Sequence, residues 1–165
     1  METTKKWNKI SNGKYSLIQN EIVLGEIDRL KSKETFNLIL NNETFKISSS
    51  GVVFRKLEIS DLNGKTVLKM EPEKWYLNVS LIQFRGKTYK LIARNNPLFE
   101  YVIIEEKEEL LAYGLDFLKE NNKPAVRIIE KDNNQPALFH ALLWYLFEPI
   151  AHENSGDFYL WMYGI

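Results

Sequence analysis

Two histidines and a glutamate late in the chain are the side chains best suited to acid–base chemistry. His140, Trp144 and Glu148 follow one another at intervals of four residues, so on a helix they lie along one stripe. On the same helix His140 and His152 would face directions about 120° apart and could not share a metal ion. The functional interpretation is an acid–base site inside the fold. We favour the structural interpretation, a buried His140 bonded to a strand carbonyl with Glu148 at the solvated end.

A second candidate for catalysis is the acidic run Glu105–Glu109, in which carboxylates surround Lys107. Glycoside hydrolysis needs two carboxylates that face each other across a cleft, whereas neighbouring residues on a strand point to opposite faces. The run is more simply a solvated turn or a charged edge that opposes aggregation. The sequence also lacks a glycine-rich phosphate loop and a Gly-x-Ser-x-Gly nucleophile elbow. We therefore expect no catalytic residue, no metal site, no cofactor and no enzymatic activity.

The best candidate for a binding site is a group of cations around and after the turn at Gly86, which we call the cationic cluster. Its functional interpretation is a site for a phosphate or an anionic lipid headgroup, because each cation near a membrane surface contributes about 1 kcal/mol. The simpler interpretation is a solvated outer face. The cationic cluster consists of Arg85, Lys87, Lys90 and Arg94, with Tyr89 between them, and Lys65, Lys69 and Lys74 of the preceding hairpin are candidates to extend it.

Charge and cysteine content exclude several classes of function. The chain has 22 Lys and Arg against 22 Asp and Glu, so it lacks the strongly basic character of nucleic-acid-binding domains. It contains no cysteine, which excludes disulfides, thiolate catalysis and cysteine-rich zinc sites. The first residues are basic but no apolar segment follows them. We therefore expect no signal peptide, no nucleic-acid partner and a cytoplasmic location.

The segments that must position these side chains are mostly strand-like. Short apolar runs, separated by turn residues, predict about eleven strands joined by short hairpins in an antiparallel meander. Asn63-Gly64 is the strongest hairpin signal, and Asn41-Asn42 suits the positive φ angles of a tight turn. Residues 1–13 are predicted to be a flexible tail and residues 14–165 a single domain, since 165 residues most simply form one domain.

One stretch differs from the strands, because Pro136–Glu148 reads as a helix that is apolar on every side. Such a helix must be buried all round, and its apolar part is too short to span a membrane. Pro136 fits the first turn and Pro149 marks an end or a kink, so we predict a helix near residues 135–152. A sheet of this many strands either splits into a sandwich or closes. The sequence therefore predicts a mainly β fold, a barrel of 11–12 strands around one hydrophobic helix.

The order of these elements resembles the tubby C-terminal-like superfamily, which includes LURP-one-related proteins and phospholipid scramblases. The resemblance rests on Tyr15–Gln19 with Leu24–Ile27, on Leu57–Gly64 and on the helix Ala137–Phe147. It implies about twelve strands wrapped around a hydrophobic helix, and binding of phosphoinositides through cations on the barrel surface. We see no residue-level motif that transfers this role to particular positions of the present chain.

The leading functional prediction is a non-enzymatic binding module for anionic lipid or a membrane surface. One alternative is a protein-interaction or scaffold domain that uses exposed aromatic residues such as Trp161 and Tyr163. Another is an enzyme or carrier with a lumenal pocket, which conflicts with a helix that fills the lumen.

Overall fold

The computed structural model describes residues 5–29, 35–51, 55–74, 78–95, 98–117 and 124–153. Within these ranges twelve strands form one antiparallel sheet in which every strand pairs with its neighbours in sequence, and the sheet is nearly closed into a barrel. The strands are β1 (Lys5–Ser11), β2 (Lys14–Gln19), β3 (Ile22–Arg29), β4 (Thr35–Leu40), β5 (Glu43–Ser50), β6 (Lys56–Asp61), β7 (Thr66–Pro72), β8 (Val79–Phe84), β9 (Lys87–Asn95), β10 (Phe99–Glu105), β11 (Glu108–Phe117) and β12 (Pro124–Glu130), and the helix α1 spans Ala137–Glu153.

Tight turns with positive φ angles join many of these strands. Asn20 and Glu21 link β2 to β3, Asn41 and Asn42 link β4 to β5, and Gly64 lies in the turn between β6 and β7. Asn tolerates the left-handed region and Gly has no Cβ to oppose it, so these residues suit the turns they occupy. The predicted hairpin turns at Asn41-Asn42 and Asn63-Gly64 are confirmed.

The helix occupies the inside of the curved sheet. Every residue from Phe139 to Phe147 is buried, which matches the apolarity of this segment on all sides. Its aromatic rings contact rings on strands all around the barrel, so the sheet surrounds the helix and the helix fills the space between its walls. The pairs are Phe139 with Phe84 of β8 and Tyr89 of β9, Trp144 with Trp7 of β1 and Tyr15 of β2, Tyr145 with Phe36 of β4, and Phe147 with Phe99 of β10 and Tyr113 of β11.

The predicted fold class is confirmed, and two of its details differ. Lys5–Ser11 form the strand β1, although residues 1–13 were predicted to be a flexible tail. The helix ends at Glu153, one residue beyond the predicted range of 135–152, and it continues through Pro149, where an end or a kink was predicted. Pro149 has no N–H, so the helix lacks one backbone hydrogen bond at this position. In the part of the chain that the structure describes, no helix combines the length and the apolarity that a membrane span requires.

Candidate functional site

The first and last strands of the sheet are joined by buried side chains. Among the described strands, β1 and β12 are the two edges of the sheet, and each pairs with a single neighbouring strand. Lys5 of β1 places its Nζ 2.6 Å and 2.7 Å from the two carboxylate oxygens of Glu130 on β12. Both side chains are only 5% exposed. This buried ion pair therefore bridges the edges that would have to meet for the barrel to close.

A series of polar contacts leads from this ion pair into the lumen. Trp7 donates through Nε1 to the Tyr113 hydroxyl at 2.8 Å, and that hydroxyl lies 2.8 Å from His140 Nδ1. His140 Nε2 lies 3.3 Å from Glu130 Oε1, close enough for electrostatic attraction but short of well-formed hydrogen-bond geometry. We call these five side chains the seam network, which consists of Lys5, Trp7, Tyr113, Glu130 and His140.

The donors and acceptors of the seam network fix the state of His140. Trp7 can only donate, so the Tyr113 oxygen accepts from it. The buried Tyr113 hydroxyl hydrogen needs an acceptor of its own, and we assign it to His140 Nδ1 at 2.8 Å, because this tautomer also turns Nε2–H toward Glu130. Nδ1 must then be unprotonated, which leaves Nε2–H facing the Glu130 carboxylate. Burial lowers the pKa of His140, against the opposing effect of Glu130. Both arguments give a neutral imidazole in the folded protein.

Glu130 carries the negative charge of the seam network. Burial alone would raise the pKa of Glu130, but the contacts with His140, Lys5 and the backbone amide of Gln135 lower it from 4.5 to about 2. The Gln135 amide donates to Glu130 Oε1 at 2.7 Å and connects the carboxylate to the segment that leads into α1. The network therefore ties together β1, β11, β12 and the helix.

The sequence-based interpretation of His140 is correct about burial and wrong about its partner. His140 is fully buried, as expected, but it contacts the side chains of Tyr113 and Glu130 instead of a strand carbonyl. Glu148 is separate from this network, as its spacing from His140 indicated. Its side chain is 14% exposed, so it is less solvated than predicted.

Glu148 belongs to a second polar group, at the junction of α1 with β2 and β3. The Tyr15 hydroxyl donates to Glu148 Oε1 at 2.8 Å, and Arg29 Nη1 lies 3.3 Å from Oε2. Burial, followed by the hydrogen bond to Glu148 and its negative charge, raises the pKa of Tyr15 to about 12. Tyr15 is thus a neutral donor at any physiological pH.

The cationic cluster divides into two parts. Arg85 and Lys87 flank the turn between β8 and β9, while Lys90 and Arg94 point outward farther along β9, on the face opposite Tyr89. Arg94 is fully engaged, since it donates to Glu100 at 2.7 Å and to the two oxygens of Glu109 at 2.6 Å and 3.0 Å. These bonds raise the pKa of Arg94 further above its ordinary value. Arg94 therefore serves to neutralise Glu100, which is 2% exposed.

The other cations of the cluster are held more loosely. Lys87 donates to Glu105 at 2.8 Å, and Lys90 lies 4.0 Å from Glu73. Arg85 lies over the ring of Phe84, with its Cζ 4.8 Å from the ring centre. Within the described ranges Arg85 makes no ion pair, so its charge is the one most available to a ligand.

An open groove of about 550 Å³ lies beside the β8–β9 turn, over β7, β8 and β9. Arg85 and Lys87 line it together with Lys69, whereas Lys90 and Arg94 are outside it. The groove therefore brings two of the four predicted residues together with one of the lysines proposed to extend the cluster. Its uncharged polar lining is Thr66, Gln83 and Thr88.

The acidic run forms the turn between β10 and β11, as predicted. Glu106 has a positive φ of 55°, and the carboxylates around it face different cations. Glu105 pairs with Lys87, Glu108 with Lys131, and Glu109 with Arg94. Among the residues with described positions, no three His, Cys, Asp or Glu side chains approach closely enough to share a metal ion.

No family model, no curated protein and no solved structure matches the chain. Trp161 and Tyr163, the candidates for an aromatic interaction surface, lie outside the described residues.

Proposed function

We propose that this protein is a non-enzymatic binding module that recognises anionic lipid headgroups at a membrane surface. The observation that carries the proposal is the groove beside the β8–β9 turn, which combines Lys69, Arg85 and Lys87 with hydroxyl and amide donors. Phosphate and carboxylate groups accept hydrogen bonds from these side chains. The groove lies on the outside of the barrel, where a membrane can reach it.

The ion pairs at the groove present little obstacle to a ligand. The Lys87 side chain is 64% exposed and that of its partner Glu105 is 35% exposed. The Lys69 side chain is 39% exposed and that of its partner Glu71 is 38% exposed. Exposed ion pairs contribute about 0–1 kcal/mol, so a headgroup phosphate can replace the carboxylate at small cost.

We also propose kinship with the tubby C-terminal-like superfamily. An antiparallel meander of twelve strands around an apolar helix that follows them supports this proposal. The proposed lipid surface is compatible with it. The filled lumen favours binding on the outside of the barrel over carriage of a ligand within it, since the side chains from Phe139 to Phe147 occupy the interior.

Sedimentation of the protein with vesicles tests the proposed function. We expect binding to vesicles that contain phosphatidylserine or a phosphoinositide, little binding to pure phosphatidylcholine vesicles, and weaker binding at high salt. Neutralising Arg85 and Lys87 in the variant R85Q/K87Q should weaken binding about thirtyfold, because each cation contributes about 1 kcal/mol. The charge reversal R85E/K87E should abolish it.

A matched control is the variant K6E/K9E, which changes the net charge as much as R85E/K87E does. Lys6 and Lys9 are exposed on β1, six strands away from β7 in the sheet order. This variant should retain most of the binding. Equal losses in both double variants would show a general charge effect, and unchanged binding by R85E/K87E would refute the role of the groove.

A further inference from the structure

A second site candidate lies where the last turns of α1 meet β2, β3 and β4. A narrow cleft there is lined by aromatic rings and one carboxylate, and its free volume of about 10 Å³ holds roughly one water molecule. Two perpendicular ring pairs form its walls, Tyr15 against Trp144 at 5.1 Å and Phe36 against Tyr145 at 4.5 Å between ring centres. We call it the aromatic cleft, and its charged residues are Glu148 and Arg29.

The carboxylate gives the aromatic cleft a preference for positive charge. Glu148 is mostly buried and has the Tyr15 hydroxyl and Arg29 as its partners. A carboxylate in apolar surroundings needs a cation nearby, because burial removes much of its hydration. The Phe36 ring adds to this preference, since the negative electrostatic potential of its face attracts cations.

Arg29 shows which chemical group the aromatic cleft accepts. Its guanidinium carbon lies 5.4 Å from the centre of the Phe36 ring, within the range of a cation–π contact. Arg29 Nη1 lies 3.3 Å from Glu148 Oε2. A guanidinium group from the chain itself therefore already uses both recognition elements.

The Arg29 side chain is also weakly held in this position. It is 52% exposed, and its hydrogen bond to Glu148 is at the long end of the usual range. The backbone at this point is fixed, because Arg29 N donates to the Gly13 carbonyl at 2.8 Å. The side chain can thus rotate toward solvent without a change in the sheet.

We infer that the aromatic cleft is a binding site for an organic cation, a quaternary ammonium or guanidinium group, whose place Arg29 takes in the unliganded protein. A ligand must displace the Arg29 side chain, since little free volume remains beside it. The inference is independent of the proposed anionic lipid site, which lies on β7–β9 and uses positive side chains. The cation could be a free small molecule or the choline headgroup of a lipid, which present the same group.

Calorimetric titration with tetramethylammonium chloride tests the inference, with sodium chloride as the control for ionic strength. The variant R29A removes the internal competitor, an exposed ion pair that contributes about 0–1 kcal/mol, so its apparent dissociation constant should be lower than that of the wild type by up to about fivefold. The variant R29A/E148Q retains an acceptor for Tyr15 but lacks the negative charge, and it should lose this binding. The control K14A removes a comparable exposed ion pair with Glu26 on the same strands and should behave as the wild type.

The variant R29Q repeats the test with less loss of contact on Phe36, so binding by R29Q that requires the Glu148 charge supports the inference even where R29A itself is defective. Absence of binding by both R29A and R29Q, or equal binding with and without the Glu148 charge, would overturn the inference. Vesicles of phosphatidylcholine then distinguish a lipid choline headgroup from a free small cation as the ligand. Sedimentation of R29A that depends on Glu148 assigns the site to a lipid headgroup, and binding of tetramethylammonium alone assigns it to a free cation. Failure of the anionic vesicle experiment would leave either result unaffected.

Discussion

Replacing Glu130 with glutamine removes the negative charge of the seam network and nearly preserves the shape of the side chain. Lys5 would then remain buried and charged at the edge of β1 without a carboxylate partner. Removing one partner of a buried ion pair typically costs about 3–5 kcal/mol. The loss should be larger than for any exposed pair in the protein.

The pKa of Glu130 gives an independent magnitude. The folded protein lowers this pKa from 4.5 to about 2, which corresponds to about 3 kcal/mol of stability at pH 7. The unfolded chain binds a proton at a higher pH than the folded protein does, so acid favours unfolding. The contribution is complete well above pH 4.5 and is lost as the pH falls toward 2. His140 acts in the same direction, because its pKa is lowered on folding and acid protonates the unfolded chain first.

Urea denaturation of the wild type and E130Q between pH 7 and pH 3 measures both effects. We expect E130Q to unfold with about 3 kcal/mol less free energy at pH 7, and we expect the difference to shrink by roughly half at pH 3. The control E108Q breaks the exposed Lys131–Glu108 pair and should cost less than about 1 kcal/mol. The double variant K5M/E130Q removes both charges and should regain much of the loss.

A difference below about 1 kcal/mol at pH 7, or one that stays constant from pH 7 to pH 3, would refute the assignment of a buried, charged Glu130. It would mean that the β1–β12 junction is open enough for water to solvate Lys5. A double variant as unstable as E130Q would show that the charges are not coupled.

Two further predictions concern the inside of the barrel. The variant Y113F removes the hydroxyl that partners both Trp7 Nε1 and His140 Nδ1. It should lower the free energy of unfolding, measured by urea denaturation, by about 2 kcal/mol. An unchanged stability would mean that water replaces the hydroxyl. The variant G25A places a methyl group against the Leu40 side chain and 2.8 Å from a backbone oxygen of β4. It should lower the free energy of unfolding by about 1–3 kcal/mol and reduce the melting temperature. A neutral effect would show that β3 and β4 can separate without cost.

Local signals in the sequence were sufficient for most of the fold. Turn residues such as Asn41-Asn42 and Asn63-Gly64 determine where one strand ends and the next begins, because they adopt φ angles that other residues avoid. The helix was predictable because Phe139–Phe147 contains almost no polar side chain. A segment with no polar face has to be surrounded, and in a β protein the sheet must surround it.

The strand β1 was not predictable from its own residues. Its composition is mostly polar, with Trp7 and Ile10 as its apolar side chains. Its place in the sheet depends on partners far along the chain, Glu130 for Lys5 and Trp144 for Trp7. Lysine-rich composition also suits an edge strand, since it discourages pairing with other chains.

The side-chain networks could not be predicted either, because their members lie far apart along the chain. No spacing in the sequence connects Lys5 with Glu130, because 125 residues separate them. The cationic cluster was found by its composition, but composition did not reveal that Arg94 is bound by Glu100 and Glu109. Opposite charges become partners through the register of β9, β10 and β11, which the composition of a single strand does not reveal.

The position of α1 after all twelve strands has a consequence for synthesis of the protein. Hairpins between neighbouring strands can form as soon as both leave the ribosome, since their contacts are local. Their inner faces, however, have no apolar partner until the helix has been translated and has left the exit tunnel. During that interval the nascent sheet exposes surface that could aggregate. The barrel can therefore close around α1 only after all the described strands have been synthesised. Until then, chaperones that act at the ribosome would have to protect the growing sheet from aggregation.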